Sequence, residues 1–368
     1  MNITDNFTIG FIGLGLIGGS IAKSIRRIFP SYYIIAYDLN QSDLQQALAD
    51  NTITKISTCI EEDFAKCDYI FLCAPVSYNL EYLSQLKPII KSTCIITDVG
   101  SVKYDIYKAV EDNQLGEHFI GGHPMVGSER SGYDASNDRL IENAYYFVTP
   151  STTVNILYIE DFRTFIEDLG AIPIIYSPQD HDKVTAYISH IPHVIASNLV
   201  NIVKNTDDDN GINKQLAAGG FKDITRIASS SPTVWEHILL SNKYNIIDGL
   251  NIYIQGIESI IKAIETNDSQ TICNFFSEAR DYRNSIPDNA TGVIRMTYEV
   301  FVDIPDEPGQ VANILTILAR ENINLKNIGI THNREDLEGV LRLSFYNNHD
   351  TLKSCKLLKE NNYIIYER

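Results

Sequence analysis

From Phe7 to about Ser177, short apolar runs rich in β-branched and aromatic residues alternate with stretches whose apolar positions recur every three or four residues. Residues 8–13, 32–37, 69–73, 94–97, 146–149 and 172–176 are the clear strand candidates. Continuous apolar runs separated by helices predict a parallel sheet covered on both faces, because such a strand has no water-facing side to be polar. From about Pro178 to Ser285 the pattern becomes helical. Val184, Tyr187, Ile188, Ile191, Val194 and Ile195 follow three- and four-residue steps, as do Ile247, Leu250, Ile254 and Ile257. The stretch from Ile286 to Gly292 has linker composition. After Arg295 a third pattern follows: strand 298–304, helix 311–320, strands 324–331 and 340–346, helix 350–360 and strand 363–367. That βαββαβ order is the ferredoxin-like split unit.

The reading is therefore an α/β chain of three domains. These are a Rossmann-type dinucleotide-binding domain (1–177), an all-helical domain for substrate and dimerisation (178–290), and a ferredoxin-like domain (296–368). No low-complexity tract or internal repeat interrupts it.

Gly13-Leu14-Gly15-Leu16-Ile17-Gly18 joins the first strand to a helix. Gly13 permits the tight turn, Gly15 lets the backbone approach a pyrophosphate, and Gly18 allows close packing of helix on strand. The helix start offers N–H groups and a positive dipole to phosphates. Asp38 ends the second strand about 20 residues beyond Gly18, where a carboxylate accepts from a ribose 2′-OH and repels a 2′-phosphate. The expected cofactor is NAD, not NADP. Leu16, Ile17, Ala74 and Pro75 complete the expected cofactor contacts.

Composition narrows the function further. Hydrophobic residues make up 44% and charged residues 21%, enough apolar mass for several cores, and the formal charge of −17 argues against nucleic acid or an anionic membrane as partner. No apolar run reaches the roughly 18 residues of a membrane span. The start of the chain lacks a basic, apolar leader, and the six cysteines form no C-x-x-C pair, so a cytoplasmic setting with unpaired thiols is expected.

Polar chemistry concentrates in a few segments: Thr97–Lys103, Gly121–Glu129, the pair His190 and His193, and Phe221–Arg226. Ser101 and His123 are expected beyond strand ends, where open α/β sheets bind ligands. His190 and His193 share a helix face, with Pro192 expected to break the hydrogen-bond ladder between them. No third ligand stands at metal spacing, so no metal is expected. Arg226 suits a bidentate grip on a carboxylate, or else an exposed pair with Asp223.

Five motifs in order resemble the prephenate dehydrogenase family: Gly13–Ser20, Thr97–Lys103, Gly121–Glu129, Ser189–His193 and Gly220–Ala228. The resemblance implies oxidative decarboxylation of prephenate to 4-hydroxyphenylpyruvate with reduction of NAD⁺, in tyrosine biosynthesis. It implies that His123 accepts the proton of the ring C4 hydroxyl, with Ser101 orienting that hydroxyl or His123. Arg226 would bind a substrate carboxylate and His193 would contact the substrate, while His190, Ser128, Glu129 and Trp235 line the pocket. Lys222 departs from the arginine equally expected there. The last segment resembles an ACT domain, through Asp306, Pro308 and Gly309 before a helix and Asn324 and Leu325 at the next strand, and implies feedback by tyrosine. Exposed apolar helix faces imply a homodimer. The competing readings are arogenate dehydrogenase, a 3-hydroxyacid dehydrogenase (which His190 and His193 argue against), and a non-catalytic sensor of NAD and an amino acid.

Overall fold

A computed structural model describes residues 7–127, 130–208, 210–286, 298–305, 307–332 and 339–367. The chain divides into two compact units, Met1–Gly292 and Val293–Arg368.

In the first unit, β1 (Thr8–Ile12), β2 (Tyr33–Tyr37), β3 (Lys55–Ile56), β4 (Tyr69–Leu72) and β5 (Ile95–Asp98) form a parallel sheet in the order β3-β2-β1-β4-β5. The order reverses at β1 and β4, so the crevice at their carboxyl ends is the natural ligand site of the fold. Both faces are covered. Ile9 and Phe11 of β1 pack with Phe71, Phe162 and Phe165, while Ile12 packs with Ile70, Leu72 and Ile96 on the opposite side. Strand β3 is only two residues long and carries no apolar run of its own.

A second sheet follows, with β6 (Ile120–Pro124), β7 (Tyr145–Pro150) and β8 (Ile172–Ile175) in that order. It meets the first through a parallel bridge between Ile96 and Phe119. Here the expectation of one all-parallel sheet is corrected, because β6 and β7 are antiparallel and only β7 and β8 are parallel. Among the described residues no long helix carries the chain from β6 to β7, and a strand reached without a helical crossover returns antiparallel. Strand β6 itself escapes the apolar-run criterion, since two glycines and a proline occupy it.

The rest of this unit is helical. Helix Pro178–Thr185 runs through a π-helical turn, Ala186–His190, into helix Ile191–Thr206. The Ile191 N–H donates to the Ala186 carbonyl, one residue further back than in an α-helix. Pro192 in the next turn has no N–H to continue the ordinary ladder, and the wider turn accommodates that. The extra residue also shifts the apolar stripe: Ile191 is buried, whereas Tyr187 and Ile188 are exposed. Helices Pro232–Ser241, Lys243–Glu265 and Ser269–Ser285 complete the domain. Of the expected stripe of the long helix, Leu250 packs against Ile191 and Ile246, whereas Ile247, Ile254 and Ile257 are exposed, with Ile261, Ile264, Phe275 and Phe276.

The second unit has β9 (Tyr298–Ile304), helix Gln310–Arg320, β10 (Leu325–His332), β11 (Gly339–Phe345), helix Asn348–Glu360 and β12 (Ile365–Glu367). Its antiparallel sheet has the order β10-β11-β9-β12, the ferredoxin-like arrangement. Val300, Val302, Leu341 and Leu343 pack against Ile314, Leu318 and Leu358 of the helices.

Candidate active site

The glycine turn after β1 is shaped by contacts that a side chain would prevent. Gly13 has φ +94°, and a Cβ there would lie 2.5 Å from the Ala74 nitrogen. A Cβ on Gly18 would lie 2.5 Å from the Gly13 oxygen, whereas one on Gly15 would meet no atom within 4 Å. The turn is thus tight where it packs and open where a ligand must approach. Asp38 closes it from below: its Oδ2 accepts the Leu14 N–H at 2.6 Å and its Oδ1 the Asn40 N–H at 2.7 Å. A carboxylate oxygen has a further lone pair for an outside donor. Gly15 precedes helix Leu16–Ile28, whose start has neither a side-chain cap nor an acidic residue in its first turn. A cavity of about 340 Å³ opens beside it, lined by Gly15, Leu16, Ile17, Ala74, Pro75 and Ser101 among others. An open glycine cradle, an uncapped helix start and an apolar floor fit a dinucleotide.

A second cavity of about 570 Å³ is lined by Ser101, His123, Arg130, His190, His193, Arg226 and Trp235 among others. Ser101, Val234 and Ile238 line both spaces, so the two share a wall. The structure thereby brings together every described residue expected to meet the substrate. Ser128 and Glu129 lie outside the described residues, as does Asp306 of the expected effector turn.

His123 stands within β6, opposite Phe147 of β7, and not beyond a strand end as expected. Gly122 before it lets the strands close up, since a Cβ there would lie 2.6 Å from the Asp98 carbonyl oxygen. The buried Lys103 ammonium ties the same elements together, pairing with Asp98 and donating to the Gly122 carbonyl at 2.7 Å. Asp98 also accepts the Gly122 N–H at 3.2 Å and the Gly100 N–H at 2.9 Å.

Behind His123 stands a polar chain for which the sequence carries no motif. His123 Nδ1 lies 2.8 Å from His181 Nε2, and His181 Nδ1 lies 2.8 Å from Asp182 Oδ1. Asp182 accepts the N–H groups of Lys103 at 2.8 Å and Tyr104 at 2.9 Å. Burial pushes the proton affinity of His123 well below the ordinary histidine range, with neighbouring His181, Lys103 and His190 adding to the effect. Burial also lowers His181, against the opposing pull of Asp182. Neutral imidazole is the form able to accept a proton.

His190 and His193 do share one side, and Trp235 explains why. The His193 ring stacks on the indole with centroids 3.8 Å apart, and His190 meets it edge-on at 6.0 Å. His193 Nδ1 is bound to the Ser189 carbonyl at 2.8 Å, and buried His190 has Nδ1 3.2 Å from the Asn242 amide. Burial lowers His190 to about 4. Asn242 also donates to the Asp182 carbonyl at 2.7 Å, which links the histidine pair to the polar chain. In the second unit Pro308 and Gly309 precede helix Gln310–Arg320, while Asn324 and Leu325 lie at the start of β10.

Comparison with known proteins agrees with this geometry. Residues 21–175 match the family model described as prephenate dehydrogenase, nucleotide-binding domain, and residues 177–278 the one described as prephenate dehydrogenase, dimerization domain. The prephenate dehydrogenase of Bacillus subtilis is 37% identical over 345 residues, covering 93% of each chain. The crystal structure of Aquifex aeolicus prephenate dehydrogenase with hydroxyphenyl propionate and NAD⁺ is similar with TM-score 0.72 and 31% identity, over 76% of this chain and 98% of that one. Synechocystis arogenate dehydrogenase is similar with TM-score 0.69 and 28% identity, over 76% of this chain and all of the other, 100%. With its glycine cradle and histidine cavity sharing one wall, this chain belongs to the prephenate dehydrogenase family.

Proposed function

We propose that this chain carries out the NAD⁺-dependent oxidative decarboxylation of prephenate to 4-hydroxyphenylpyruvate, with His123 as the base. The observation that carries this reading is the placement of a hydrogen-bonded His123 in a cavity sharing a wall with the glycine cradle. The cofactor is NAD, held by Gly13, Gly15, Leu16, Ile17, Gly18, Asp38, Ala74 and Pro75. Bound there, its nicotinamide supplies a hydride acceptor. His123 takes the proton of the C4 hydroxyl as C4 is oxidised, and Ser101 on the shared wall orients that hydroxyl. Arg226 grips a carboxylate through its planar fork. His193, His190 and Trp235 shape the pocket around the ring. The bond from C1 to its carboxylate then breaks, CO₂ leaves, and its electron pair completes the aromatic ring. The proton held on His123 returns to the C4 oxygen, so the residues finish as they began. The barrier is lowered by position and proton transfer, which are worth orders of magnitude in a buried site.

Three further assignments belong to the same reading. Residues 1–177 form the nucleotide domain, 178–290 the helical substrate domain, and 296–368 an ACT domain that binds tyrosine. Two copies associate through the helical domain, where Ile254, Ile257 and Phe276 are exposed. Six free cysteines suit the reducing cytoplasm.

Arogenate is the second reading, favoured by the likeness to the Synechocystis enzyme. It carries an amino group where prephenate has a keto group, so the ring chemistry is unchanged. NADH formation with each substrate, first with NAD⁺ and then NADP⁺, separates the two. Turnover of prephenate with NAD⁺ is expected. Turnover of arogenate alone would move the substrate assignment, and no turnover with either would return the chain to a sensing role. Tyrosine is expected to lower activity and raise the melting temperature. No effect on either would remove the effector assignment.

A further inference from the structure

The bonds behind His123 decide which of its ring nitrogens carries the proton. Asp182 is the fixed end. Its Oδ1 accepts the Lys103 N–H and its Oδ2 the Tyr104 N–H, at the start of helix Tyr104–Asp112, where the helix dipole favours negative charge. A carboxylate offers acceptor sites only, so its contact with His181 Nδ1 at 2.8 Å is an N–H donated to Oδ1. The His181 ring is fully buried and the Phe147 ring meets it at a right angle, with centroids 4.9 Å apart, so close packing opposes the ring flip that would exchange its nitrogens.

A neutral imidazole with its proton on Nδ1 has a bare Nε2. That atom stands 2.8 Å from His123 Nδ1. Two lone pairs at this distance would repel, so His123 supplies the proton. The lone pair of neutral His123 is left on Nε2, the nitrogen that the chain does not engage. Burial lowers the proton affinity of both rings, which favours the neutral form of each before the reaction.

We propose that His181 is a positioning residue: together with Asp182 it holds His123 in the Nδ1–H tautomer, making Nε2 the atom that accepts the substrate proton. This rests on the assignment of His123 as the base. Free histidine favours the opposite tautomer, in which the lone pair lies on Nδ1. Without the relay, the base nitrogen would therefore be protonated for most of the time. Once His123 holds the substrate proton, its Nδ1–H donates from a cation to His181 Nε2, and such a bond is shorter and stronger than the neutral one.

The test combines a spectrum with kinetics on the full chain. In ¹⁵N-histidine NMR at neutral pH without substrate, His123 is expected as the Nδ1–H tautomer, moving to mainly Nε2–H in H181L. In H181L, kcat should fall about 100-fold with the prephenate KM within about threefold, the scale of a mispositioned general base. H181Q, whose amide can donate to Asp182 and accept from His123, should recover about tenfold of that loss. An Nε2–H tautomer in the unmodified enzyme overturns the proposal, and so does a kcat of H181L within about twofold of it. If H181L does not fold, H181Q and the unmodified spectrum still decide. Full turnover by H123N would instead overturn the base assignment, and the tautomer would remain readable on its own.

Discussion

The His193 imidazole lies against the Trp235 indole with centroids 3.8 Å apart and planes 26° from parallel. Both side chains line the 570 Å³ cavity and also an adjoining one of about 400 Å³. The stack therefore forms part of the partition between them, together with Ile227 and Ser230. Replacing the indole removes contact area that is used in ground state and transition state alike. Trp235→Leu is expected to raise the prephenate KM about tenfold with kcat within about threefold. Steady-state kinetics check it, and an equal loss in kcat with unchanged KM would refute the partition.

Asp38 braces the glycine turn through the Leu14 N–H and still has lone pairs for a ribose hydroxyl. Asp38→Ser should raise the KM for NAD⁺ about 10- to 100-fold, the worth of a hydrogen bond to a charged group. It should also shift preference toward NADP⁺, because a repelling charge is gone. Comparing kcat/KM for the two cofactors tests this, and an unchanged ratio would argue against ribose recognition by Asp38.

Lys103 is buried with Asp98 as partner and binds the carbonyl next to His123. Lys103→Met leaves Asp98 buried with an uncompensated charge, a defect costing about 3–5 kcal/mol. The melting temperature of the catalytic unit should drop by on the order of 10 °C. Calorimetry on full-length protein reads this, and a drop under about 2 °C would show that solvent reaches Asp98.

Acid should act on both stability and activity through the buried histidines. His190 is held at about 4, and His123 and His181 are also lowered. Between the lowered values and the unfolded value near 6.5, the unfolded chain binds more protons, so stability rises with pH and is lost as pH falls through that window. The melting temperature should decline from pH 7 to pH 5, less steeply in His190→Asn. Because burial lowers the proton affinity of His123, the acid limb of kcat/KM should also lie below 6.5. An acid limb above that value would contradict a buried neutral base.

Ile254 and Ile257 lie exposed on helix Lys243–Glu265 within the region that matches a dimerization domain. A double Ile254→Glu, Ile257→Glu change should convert a dimer to monomers, read by light scattering. Dimers of unchanged affinity would place the interface elsewhere.

Much of this molecule was legible from local pattern. A glycine turn between a strand and a helix, a carboxylate after the next strand, and three successive periodicities are written within short stretches, because turn chemistry and burial periodicity act over a few residues. Those signals were enough for the nucleotide cleft and for the βαββαβ unit, whereas His123, Ser101, His193 and Arg226 were joined into one site only by the resemblance to a known family. Local pattern failed at β6, where glycines that permit close strand packing look like a turn, and at β7, whose direction depends on how the chain returns to it.

His181 and Asp182 were illegible for a different reason. They read as polar residues on an ordinary helix, and their meaning comes from facing His123, 58 residues away from His181 in sequence, and the backbone of Lys103. The burial of Lys103 beside Gly122 and the exposure of Ile254 on an apolar stripe are of the same kind. The amino-acid sequence by itself determined which elements form and which chemistry is available. Only the tertiary structure decided which donors meet which acceptors, because hydrogen-bond partners joined across dozens of residues leave no periodic trace in the chain that encodes them.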